Sequence, residues 1–157
     1  MIADGILMHR RLDVLTDSLP EVQAARPLFR AETRRVAPIT LDVVWDHFLA
    51  RHWSEIHPTV SLAEFSRFAE RDILPQLKGT PDSFQNLNAV MWRDRWFEHY
   101  AESGRLARVL QGMAHRRPRL AALADSYTDF IEHYDQLEQL FFRFYPRLMA
   151  MAKAKAI

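Results

Sequence analysis

The chain has 157 residues, 48% of them apolar, a length and content that suit one domain over residues 1–157 with its own hydrophobic core. Cysteine is absent, which excludes a disulfide framework and thiolate metal ligation, so any metal must be held by nitrogen and oxygen ligands such as suit Mn²⁺, Mg²⁺, Fe²⁺ or Zn²⁺. The net charge of +1 argues against a general nucleic-acid binder, and the lack of any apolar run near the ~18 residues that span a bilayer, or of a basic-then-apolar leader, points to a cytoplasmic protein.

Four glycines are few, and with the long periodic stretches they predict an all-α chain. Eighteen of the 21 basic residues are arginine. Arginine clamps phosphate and carboxylate with two parallel hydrogen bonds, so the bias suggests anion recognition, although a high-GC coding sequence has the same effect.

The first predicted helix runs from about Ala3 to Asp17 and ends near Leu19-Pro20. Met8, Leu12, Leu15 and Leu19 make its apolar stripe. His9 and Asp13 stand one turn apart beside the stripe, and Asp17 is a turn further on. An imidazole and a carboxylate so placed can hold one metal ion, or the carboxylate can orient the imidazole; a helix-stabilising surface pair is the plainer alternative. Arg10 and Arg11 flank them, as phosphate-ester chemistry would require.

Pro20 suits the first turn of a second helix, expected to pass Ala24, Ala25, Leu28 and Phe29 toward Arg35 with a kink at Pro27. Arg26, Arg30, Arg34 and Arg35 give it a basic face, either solvated or a docking surface for an acidic partner. After a break at residues 36–39, Thr40 is expected as the N-cap of a helix whose apolar face is Leu41, Val44, Trp45, Phe48 and Leu49. Asp46 and His47 fall among these, which predicts either a paired core carboxylate and imidazole or a metal or catalytic pair. His52, Trp53 and His57 follow.

Ser61-Leu62-Ala63-Glu64 is a capping box opening a helix closed by Pro75 and Gly79. A further helix opens at Thr80-Pro81-Asp82-Ser83, and Phe84, Leu87, Val90, Met91, Trp92, Trp96 and Phe97 are expected to form an aromatic core face. Leu106, Val109, Leu110 and Met113 predict a short helix ending in a second cationic cluster at residues 115–119. The last long pattern runs from Leu120 to Tyr145, where Pro146 is expected to kink it.

Several segments together resemble the acyl carrier protein phosphodiesterases. They are Met8 to Asp17; Glu32 to Asp42; Trp45-Asp46-His47-Phe48 with Arg51-His52-Trp53; Asn86-Leu87-Asn88; Arg116 to Leu120; and the His133-Tyr134-Asp135 and Phe144-Tyr145-Pro146 stretches. The resemblance covers nearly the whole chain in order. It implies a helical fold similar to a distorted HD-type phosphohydrolase. It also implies Mn²⁺-dependent hydrolysis of the phosphodiester that joins 4′-phosphopantetheine to a serine of acyl carrier protein, yielding the apo protein. Family members carry a His-rich opening and an Asp-Phe-Val stretch, whose Asp helps to bind the metal, ahead of the segment matching the His9 helix. Met1 falls just before that helix, so the metal site is expected to be incomplete.

For this chemistry the expected metal ligands are His9, Asp13, Asp46 and His47. Asp17 and His52 come next, as a further ligand or a general acid for the serine oxygen. Arg10, Arg11, Arg34, Arg35, Arg116, Arg117 and Arg119 are expected to neutralise phosphate oxygens or to hold the acidic carrier protein. Two other readings stay open: an HD-like hydrolase acting on a nucleotide or another phosphate ester, and a non-catalytic helical module that binds an acidic protein.

Overall fold

Helix is the only regular structure among the described residues, 2–154, of the computed structural model, and side chains are described from Met8 onward. In chain order the helices are α1 (Ile2–Ser18), α2 (Pro20–Ala25), α3 (Ala37–Arg51), α4 (Trp53–Ile56), α5 (Leu62–Ile73), α6 (Asp82–Arg93), α7 (Trp96–His99), α8 (Ser103–Arg116), α9 (Ser126–Glu132) and α10 (Tyr134–Lys153). This is the all-α class that scarce glycine and helical periodicity imply. Two compact units divide the chain: one is built from the N-terminal stretch up to Trp45 together with Leu106 onward, the other from Asp46–Arg105.

In the first unit, Leu19 takes the extended conformation that a following proline favours, and Pro20 opens α2 as expected. The long second helix does not form. It stops at Ala25, passes through a single 3-10 turn at Arg26–Leu28 and gives way to turns up to Val36. Pro27 cannot donate to the helical ladder. Beyond it the amide of Arg30 is bound by tertiary structure, donating to Asp129 Oδ1 at 3.1 Å. Thr40 is likewise no N-cap: α3 begins at Ala37, and Thr40 is fully buried with its hydroxyl 2.8 Å from that of Ser126.

Leu41, Val44, Trp45 and Phe48 are buried along α3, as its apolar spacing predicts. Trp45 meets Phe144 edge-on at 5.0 Å between ring centroids. α10 packs on α2, and Arg147 forms an ion pair with Glu21 across that contact. The long C-terminal pattern is broken into a 3-10 segment (Pro118–Leu123), α9 and α10, and α10 continues past Pro146.

In the second unit the capping box forms as expected: the amide of Glu64 donates to Ser61 Oγ at 3.2 Å and the amide of Ser61 donates to Glu64 Oε2 at 3.0 Å. Gly79 turns the chain before α6 with φ +89°, a conformation that costs glycine little. The expected aromatic core face is only partly a core. Trp92 is buried, but Phe84, Leu87, Trp96 and Phe97 are exposed, as are Phe65, Phe68 and Ile73 of α5.

Candidate functional site

α1 sets a histidine and two carboxylates in successive turns. His9 Nδ1 lies 2.9 Å from Asp13 Oδ2, and both side chains are exposed. With Nδ1–H donated to the carboxylate, the ring's lone pair is on Nε2, the tautomer of a general base or a metal ligand. Asp17 receives a guanidinium hydrogen bond from Arg26 at 3.4 Å, and its main-chain carbonyl accepts from Gln23 at 2.6 Å.

A fourth member of this group comes from α3. Asp42 opens to solvent at the surface, but the protein atoms crowding its carboxyl desolvate it, and its pKa is pushed up to about 6. The carboxylates of Asp17 and Asp13 add to the rise, and His9 offsets part of it. In the sequence Asp42 has only the look of a helix-dipole partner near the start of α3; its proximity to α1 is a tertiary fact with no local signal.

The donor types of His9, Asp13, Asp17 and Asp42 suit a hard or borderline divalent ion, and the crowding of like charge is of the kind a cation relieves. Among the described residues, however, no group of three or more His, Asp and Glu side chains converges as a metal site.

In the second unit, Asp46 is exposed, not the buried acid that its place in the apolar pattern suggests. His47 is fully buried, and its Nδ1–H donates to the carbonyl of Tyr100 at 2.7 Å. That bond fixes the ring and its tautomer. Asp46 in turn adds to burial in raising the pKa of the Tyr100 phenol. His52 is mostly covered and stands 3.6 Å from Glu55, an ion pair only when the imidazole is protonated.

The arginines divide by what they touch. Arg10 and Arg11 lie exposed on α1. Arg34 donates twice to the carbonyl of Phe29, bracing the loop after α2. Arg30, expected on a basic face that is either solvated or a docking surface for an acidic partner, instead pairs within the chain with the buried carboxylate of Asp129, its own side chain staying half exposed. Arg35 Nη2 donates to the carbonyl of Arg119 at 2.7 Å, so the two cationic clusters, 84 residues apart in sequence, meet in the first unit. Beside that junction Arg116 and Arg117 border a cavity of about 270 Å³ whose other walls are Ile39, Met113 and Leu120. It is a cationic rim on an apolar floor.

No solved structure matches this chain. Among curated proteins it is 56% identical to the acyl carrier protein phosphodiesterase of Klebsiella pneumoniae subsp. pneumoniae over 156 residues, which are 99% of this chain and 81% of the relative. The enzymes of the same name from Serratia proteamaculans and Yersinia enterocolitica are 57% and 58% identical over the same shares. The family model described as acyl carrier protein phosphodiesterase matches residues 1–148. With agreement along nearly its whole length, the chain belongs to the acyl carrier protein phosphodiesterase family.

Proposed function

We propose that the protein hydrolyses the phosphodiester between 4′-phosphopantetheine and a serine of acyl carrier protein, converting holo carrier protein to apo. The observation that carries this reading is the family relationship over 99% of the chain. In the reaction a water oxygen bonds to phosphorus, the bond from phosphorus to the serine oxygen breaks, and the serine oxygen takes up a proton. The products are apo carrier protein and 4′-phosphopantetheine.

His9, oriented by Asp13, is the proposed acceptor of the water's proton. Arg10 and Arg11 on the same helix are proposed to meet the non-bridging phosphate oxygens. The Arg35 and Arg116–Arg119 junction is the proposed seat for the acidic surface of the carrier protein.

Mn²⁺ is the proposed cofactor, with Asp17 and Asp42 as the carboxylates that would help to hold it while His9 and Asp13 serve the water's proton. What supports this is donor chemistry and like-charge crowding. When bound, such an ion would supply a water of lowered pKa.

The test is a gel shift of holo carrier protein to apo with and without Mn²⁺. Conversion by this chain, its loss in Asp13→Ala at unchanged helicity, and a drop of at least about 100-fold in kcat for His9→Ala are the expected results. Full activity of Asp13→Ala would overturn the assignment of the site, and the absence of conversion with any metal would overturn the function.

A further inference from the structure

The second unit contains a cavity that the chemistry above does not use. It measures about 370 Å³, within the range of roughly 300–1,000 Å³ typical of small-molecule sites, and lies among α5, α6 and α7. Ala63, Met91, Trp92 and Phe97 give it apolar walls.

Two of its lining residues hold buried polar atoms with no hydrogen-bond partner among the described residues: the indole N–H of Trp92 and the hydroxyl of Ser66. Trp92 is only 7% exposed. Buried donors are normally satisfied, and two orphans in the wall of one cavity mark a place where an acceptor is missing. The charges in its lining balance in number, Arg67 and Arg95 against Glu70 and Glu98, and Arg95 Nε already donates to Glu98 at 2.8 Å. Arg95 is held in left-handed backbone, φ 51° and ψ 46°, the one positive-φ residue other than glycine among those described. Such a conformation costs about 1 kcal/mol or more unless the surroundings impose it.

We infer that this cavity is a binding site for a neutral, largely aliphatic molecule bearing a carbonyl oxygen, which accepts from Trp92 Nε1–H and Ser66 Oγ–H. An anion or a cation has no uncompensated partner there, and a pure hydrocarbon leaves both donors unsatisfied. Both donor atoms are covered, so an acceptor reaches them only as lining side chains shift, and Met91, with three rotatable bonds, is an adaptable one among these. Pantetheine, with two amides separated by short aliphatic spacers, is a molecule of this class.

The experiment titrates the full chain with pantetheine, which lacks the phosphate, and with 1,11-undecanediol, a chain of the same 13 heavy atoms without carbonyls, by calorimetry. Saturable binding of pantetheine is expected, with the diol binding at least about tenfold more weakly. Trp92→Phe and Ser66→Ala should each weaken pantetheine about tenfold, and in Ser66→Ala the thermal midpoint should stay level or rise, because that change removes an unsatisfied buried hydroxyl with little loss of volume. Equal binding of the two ligands, or normal pantetheine binding by both Trp92→Phe and Ser66→Ala, would overturn the inference.

Hydrolysis of holo carrier protein, measured in parallel, separates the two readings. Hydrolysis with no pantetheine binding overturns the cavity assignment alone, whereas pantetheine binding with no hydrolysis overturns the proposed function and leaves the cavity standing.

Discussion

A carboxylate among cations and a carboxylate among other carboxylates respond oppositely to pH. For Asp129, burial favours the proton, but hydrogen bonds from the Arg30 guanidinium, the Thr33 hydroxyl and the Arg30 amide outweigh it and hold the pKa below the usual range. Its stabilisation is complete above the unfolded value of about 4 and is lost as pH falls through the depressed folded value. Asp129→Asn is therefore expected to cost about 2–3 kcal/mol at pH 7, read from urea midpoints, and to flatten the acid limb of the stability curve. Asp42, pushed up to about 6, binds its proton more tightly folded than unfolded, so stability is lost as pH rises from about 4 to about 6. With the exposure of its side chain taken into account, Asp42→Asn in metal-free buffer should gain about 1 kcal/mol above pH 6 and nothing below pH 4.

Elements whose signals are local behave as their sequences predict. Ser61→Ala removes the acceptor for the Glu64 amide and should lower stability by about 1 kcal/mol, measured by the shift in thermal midpoint, with Ser61→Asp restoring most of it. The turn at Leu19-Pro20, the buried face of α3 and the opening of α6 near Pro81 were equally legible, because proline geometry and helical spacing act within a few residues. What the sequence left illegible is what distant residues decide. α2 stops at Ala25 where periodicity alone would carry it on, and Thr40 looks like a cap until Ser126, 86 residues later, takes its hydroxyl. The same limit applies to the candidate site: the spacing of His9 and Asp13 shows on one helix, whereas the approach of Asp42, and the binding of Arg30 to a buried acid rather than to solvent, depend on tertiary packing.

Across the whole molecule apolar side chains divide into two energetic classes that spacing does not distinguish. Phe130 is fully buried, and Phe130→Ala should cost about 3–5 kcal/mol, whereas Leu87→Ser, at a position 52% exposed, should change the urea midpoint by the equivalent of less than about 1 kcal/mol. The order in which the two units occur along the chain has a consequence for biosynthesis. Asp46–Arg105 is one uninterrupted stretch, whereas the other unit needs both flanks, and the bonds from Arg30 to Asp129 span 99 residues. On the ribosome the inserted stretch emerges whole, while α1, α2 and the start of α3 must wait for α9 and α10 before Arg30, Thr33 and Thr40 meet their partners. A nascent chain arrested just after Arg105 should accordingly be cleaved by protease around Arg30–Arg35, and the released full-length protein should be protected there.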